Sequence, residues 1–172
     1  MATDSPQDPG YDKIVAGIKQ NIEIHGFTGM RVSESESTPA YAYTLGLAER
    51  GCQDVITFGP YAEVLVDHAW EHLACAPEAD LTQDRVYTFD SLNVAIGGVK
   101  EPLRYVFKQC IPEKFFEYAL WCKNLDICKA ISDAPLQLVV GDLVNRLPGE
   151  AGYQDPYDTP CLWQDSDIPD VL

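Results

Sequence analysis

Residues 68–72, HAWEH, carry the one short pattern in this chain that matches a known catalytic geometry. On an α-helix His68 and His72 stand four residues apart, so both imidazoles leave one face, and Glu71 comes close enough to polarise a metal-bound water. That is the chemistry of a zinc peptidase. Such a site needs a third ligand, usually a downstream carboxylate. Glu150 can be nominated, but many acidic residues follow and spacing singles out none of them. Leu65, Ala69, Trp70 and Leu73 surround the pair at helical spacing, so part of this helix is expected to face a core. The pattern then reduces to a histidine pair on an amphipathic helix, and the expectation is no metal at His68, Glu71 and His72 and no cofactor.

Other chemistry is weaker still. Ser33, Ser35 and Ser37 lie in a polar turn, and Ser91 and Ser132 have no elbow sequence around them. Ala95 to Lys100, AIGGVK, lacks the spacing of a phosphate-binding loop and reads as a turn. Six cysteines (Cys52, Cys75, Cys110, Cys122, Cys128 and Cys161) form no C-x-x-C pair and no cluster with histidine, which predicts reduced, mostly buried thiols. The N-terminal MATDSPQDPG has acidic residues where a signal peptide carries positive charge, and a cytoplasmic location is expected.

The elements that must hold these residues follow from periodicity. Ile14, Ile18 and Ile22 at steps of four, closed by Gly26, predict a helix over residues 11–25 with one stripe on the core. FTGMRV, YAYTLGL and DVITFG read as three short strands of a meander, joined by the polar turn SESESTP and by AERGCQ. Within YAYTLGL, Tyr41, Tyr43 and Leu45 share one side and Ala42, Thr44 and Gly46 the other, and one of these faces is expected to be core. PYAEVLVDHAWEHLACA, with Val64, Leu65, Ala69, Leu73 and Ala76 apolar, is the second helix. RVYTFD and PLRYVFKQC read as strands around an IGG loop, PEKFFEYALWCKNL as a third helix, and PLQLVVGD as a last strand. The fold class predicted is α+β: one domain over residues 10–155, a mixed or antiparallel sheet with about three helices packed on it. A disordered segment 1–9 is expected before it, and an acidic tail 156–172 after it.

The order helix, HGF, strand, PAYAYTLGL, GCQDVITFGP, helix, and near the end APLQLVVGDLVNRLPGEAGY, resembles the bacterial family catalogued as domain of unknown function 4262 over roughly residues 10–155. The resemblance implies a domain boundary and no particular activity. Its paired histidines have no counterpart in that pattern. The matching polar residues are His25, Tyr43, Thr44, Gln137 and Asp142. Two readings of them stay open. In one, His25, Thr44 and Gln137 gather around a pocket for a small polar ligand; in the other, His25 ends a helix and Gln137 satisfies a loop backbone.

Charge separates the remaining function classes. Twenty-seven acidic against twelve basic side chains give a net charge of −15, which repels nucleic acid and anionic lipid. No apolar run approaches the ~20 residues of a membrane helix. Nucleic acid and membranes are therefore not expected as partners. After Arg146 no Lys or Arg follows, while Glu150, Asp155, Asp158, Asp165 and Asp167 do, which offers a surface for a basic protein. The first function class is thus a non-catalytic binding protein that occludes a basic partner, as an immunity protein occludes a toxin. The Tyr-Thr-x-Gly-Leu strand is also similar to one in immunity domains of the suppressor-of-fused type. The second class is a protein with a pocket for a small metabolite, or an enzyme built on that pocket.

Overall fold

The computed structural model describes residues 9–75, 85–125 and 135–163. The expected disorder of residues 1–9 lies outside them but for Pro9. Helix α1 (Pro9–His25) leads into strands β1 (Thr28–Val32), β2 (Tyr41–Leu45) and β3 (Val55–Phe58), with a 3-10 turn at Leu47–Arg50. Helix α2 (Ala62–Cys75), the hairpin β4 (Tyr87–Ile96) and β5 (Val99–Gln109), short helices α3 (Pro112–Tyr118) and α4 (Leu120–Asn124), and strand β6 (Leu136–Val140) follow. The strands form one six-stranded sheet in the order β1-β2-β3-β6-β5-β4. All neighbours are antiparallel except β3 and β6. The sheet is mixed, and the fold is α+β.

Every described residue of β3 and β6 is buried, because both faces of the sheet are covered. Alternation sorts the core into two layers. Leu65 and Ala69 of α2 pack with Val55, Leu103, Tyr105, Phe107, Leu136 and Leu138 on one face. On the other, Ile18 of α1 and Phe115 of α3 meet Tyr43, Leu45, Ile56 and Phe58. The expectation of one core face for β2 is therefore corrected: Ala42 and Thr44 are as buried as Tyr43 and Leu45. Long apolar runs such as VITF and LQLVV are the sequence form of that double burial.

Three further expectations change. Ile14 is 49% exposed, so the stripe of α1 narrows to Ile18 and Ile22, where the helix crosses the sheet. The strand read as RVYTFD continues to Ile96, through a register irregularity between Phe89 and Asn93, and turns at Gly97 and Gly98, both at positive φ. The third helix is two. At Ala119 the α-helical pattern breaks, the Cys122 N–H bonds to the Ala119 carbonyl, and the Tyr118 carbonyl accepts the Tyr41 hydroxyl at 3.3 Å. A tertiary bond thus takes a carbonyl that a continuous helix would have used itself.

At the end of α1 the Gly26 N–H caps the Ile22 carbonyl at 2.7 Å with φ +82, as its sequence position predicts. Gly46 has a second reason to be glycine: a Cβ there would lie 3.0 Å from the Ile22 side chain, so the close approach of α1 to β2 depends on it.

Candidate functional site

A cavity of about 460 Å³ opens where the C-terminal end of α1, strand β1 and helix α2 meet. Asn21 and His25 line it from α1, Gly29 and Arg31 from β1, and Glu63, Asp67 and Trp70 from α2. Local structure places each. Arg31 pairs across the sheet with Ala42, so its side chain points to the α2 face, where Ala62 and Val66 pack on Ala42. There its guanidinium reaches Glu63 at 2.7 Å and Asp67 at 4.0 Å. Glu63 and Asp67 are four apart on one helix and remain more than half exposed. Trp70 stacks on Phe27 with centroids 4.0 Å apart and forms an aromatic wall.

Of the five polar residues nominated from sequence, the lining of this cavity includes His25 alone. The others sit in separate internal networks. Tyr43 is buried in the α1 layer. Thr44 donates to Asp54 Oδ1 at 2.9 Å and accepts the Val55 N–H at 2.9 Å. Gln137, with no exposed surface, donates to the Pro160 carbonyl at 2.8 Å and accepts the Leu162 N–H at 2.9 Å. Asp142 accepts the backbone N–H groups of Val144, Arg146 and Gln154 and the Arg146 Nε–H. Burial favours the neutral acid, but these donors outweigh it and hold the Asp142 carboxyl below the usual range.

The acidic residues divide. The Glu150 carboxylate takes two bonds from the Arg104 guanidinium, at 2.7 and 3.1 Å, and the Leu147 N–H. The Arg104 bonds, then the backbone N–H, hold its carboxyl below the usual range. Asp155 caps Tyr157 and Thr159, and Asp158 takes positive φ in the same turn. Residues 156–163, read from sequence as the start of an acidic tail, instead pack on the domain: Leu162 is buried and its carbonyl accepts the Ile111 N–H at 2.7 Å. Asp165 and Asp167 lie outside the described residues.

HAWEH lies on α2 as its spacing predicts. The His68 ring packs 4.2 Å from Phe89 and edge-on to Tyr105, so it faces the sheet. The side chains of Glu71 and His72 lie outside the described residues. Among the described residues no group of three or more His, Cys, Asp or Glu could hold a metal ion. Cys110 and Cys122 are buried, and Cys52 and Cys161 half-buried. Burial, then the nearby Cys161, pushes the Cys110 thiol far up, away from nucleophilic character.

Sequence reasoning missed Asp54 and Asn145. Asp54 opens the stretch DVITFG, read only as a strand, yet it is fully buried and accepts the Thr44 hydroxyl. Asn145 at φ +64 accepts the Arg104 N–H and donates to the Pro102 carbonyl, which ties the loop after β6 to β5. Its signal was an Asn in a Gly-rich segment, a residue that tolerates left-handed backbone.

These features define a single α+β domain with a mixed sheet sandwiched between helices and an open polar cavity at one sheet edge. The model of the family described as domain of unknown function DUF4262 matches residues 21–154, and the chain belongs to that family. No curated protein and no solved structure matches it. Among the described residues no helix is long and apolar enough to cross a membrane.

Proposed function

We propose that this is a non-catalytic binding protein that occludes a basic protein partner, in the manner of an immunity or inhibitor protein, and that the cavity between α1, β1 and α2 is where the partner docks. The observation that carries the reading is the exposed pair Glu63 and Asp67 at the cavity, opposed by Arg31, in a chain with 27 acidic and 12 basic residues. A partner cation can replace or join Arg31 there with little desolvation, and the surrounding field speeds encounter. The polar groups best suited to chemistry, Thr44, Asp54, Gln137 and Asp142, serve internal hydrogen bonds away from the cavity, which supports binding over catalysis.

The test is complex formation with the product of the adjoining gene, measured by calorimetry at low and high salt. Expected is a complex that weakens as salt rises and that Glu63→Gln with Asp67→Asn weakens further. The cavity volume also falls within the range of about 300–1,000 Å³ typical of small-ligand sites, which favours a metabolite as the second reading. If a small polar metabolite raises the melting temperature with concentration, and Asn21→Ala or Trp70→Ala removes the gain, that second reading replaces the first.

A further inference from the structure

Strand β1 is an edge of the sheet, and the hydrogen-bond register decides which of its backbone groups face out. The Gly59 N–H bonds to the Ala40 carbonyl and the Leu136 N–H to the Asp54 carbonyl. In antiparallel pairing these fix the even residues of β2 as facing β3 and the odd ones, Tyr41, Tyr43 and Leu45, as facing β1. Their partners Val32, Met30 and Thr28 therefore bond inward. The N–H and C=O of Gly29 and Arg31 point away from the sheet, and among the described residues nothing accepts or donates to them.

An open edge of this kind templates a further strand. Three observations favour this edge over β4. Gly29 and Arg31 both line the cavity, so space adjoins the free backbone groups. A Cβ on Gly29 would meet nothing within 4 Å, and glycine in a strand marks a place where another backbone can approach closely. The β4 edge, by contrast, carries an irregularity at Phe89 to Asn93, a device that disrupts edge pairing. Charge then selects the occupant. Side chains of an added strand that project toward α2 would meet Glu63 and Asp67, and Glu34 and Glu36 follow directly after β1, both exposed.

We propose that an extended, basic segment of the partner adds to the sheet along β1, bonding to Gly29 and Arg31 and placing alternate cations on Glu63 and Asp67. The inference rests on the basic-partner reading and names how that partner is held.

The probe is a capped peptide of alternating lysine and valine, compared with its twin of equal charge carrying N-methyl groups on alternate backbone nitrogens. Amide hydrogen exchange of the full chain is the readout. Expected is fast exchange at Gly29 and Arg31 in the free protein, protection of both by the first peptide, and none by the second. Arg31→Pro deletes one outward N–H at an edge position where proline is tolerated, and should abolish the protection, while Arg31→Ala keeps it. Glu63→Gln with Asp67→Asn should weaken binding about five-fold, the scale of two exposed ion pairs. Protection of both amides in the free protein means that the chain covers its own edge, and overturns the inference. Equal binding of the two peptides overturns strand addition but leaves a basic partner held by charge alone. Failure of both peptides to bind overturns the inference and the basic-partner reading together.

Discussion

Among the described residues the side chain with the densest set of donors is Asp142. Its carboxylate has 2% exposure and takes four N–H groups, three of them backbone, so it closes the loop after β6. Asp142→Asn keeps the shape but loses the charge that these donors converge on, and should cost about 2–3 kcal/mol at neutral pH. Because the folded state holds this carboxyl below its unfolded value, its contribution is complete above about pH 4 and is lost as pH falls through the lower folded value. Denaturant unfolding of both proteins across acid pH checks this: the gap between them should close at the acid end, and a gap independent of pH would assign the loss to packing. Gln137→Leu probes a different network. It leaves the Pro160 carbonyl and Leu162 N–H without partners in a buried place and should cost about 2 kcal/mol, with earlier proteolysis near Leu162 than anywhere in the sheet.

At the level of elements, the strands β1 to β3 were legible because alternation, aromatic content and turn residues agreed, and Gly26 and Pro112 marked helix ends by local chemistry alone. What stayed hidden was set by distant partners. The break between α3 and α4 answers to Tyr41, 77 residues away, and no pattern within PEKFFEYALWCKNL announces it. Likewise Asp54 reads only as the first residue of a strand until Thr44 is folded over it, and the cavity depends on three elements whose relative placement no periodicity encodes. Double burial makes its own prediction. Tyr43→Ala and Phe58→Ala should each destabilise by about 3–5 kcal/mol in thermal or denaturant unfolding, since both rings are buried in the α1 layer. Thr44→Val, on the opposite face, should cost about 2 kcal/mol despite equal volume, because it takes one donor from the buried Asp54 carboxylate and removes the acceptor of the Val55 N–H. If the valine is neutral, the α2 side of β2 is a packing surface only.

For the molecule as a whole, charge opposes the fold that packing builds. Two like charges about 20 Å apart in water repel by about 0.2 kcal/mol, and summed over the roughly 100 pairs among fifteen excess charges this reaches about 20 kcal/mol before salt screens it. The unfolded chain spreads the same charges further apart, so part of that repulsion is a cost of folding. Ion pairs work the other way, yet two of the three closest among the described residues, Arg31 with Glu63 and Arg104 with Glu150, are substantially exposed and contribute little. The repulsive sum is the larger. Sodium chloride, which shortens the Debye length from about 30 Å at 0.01 M to about 8 Å at 0.15 M, should therefore raise the melting temperature by a few degrees over that range. Asp165→Asn with Asp167→Asn should reduce the rise, because it removes two of the excess charges. Scanning calorimetry at matched pH decides the sign. A melting temperature that falls with salt would mean that attractive pairs outweigh the net charge, and that the acidic surface is already matched from within rather than open to a basic partner.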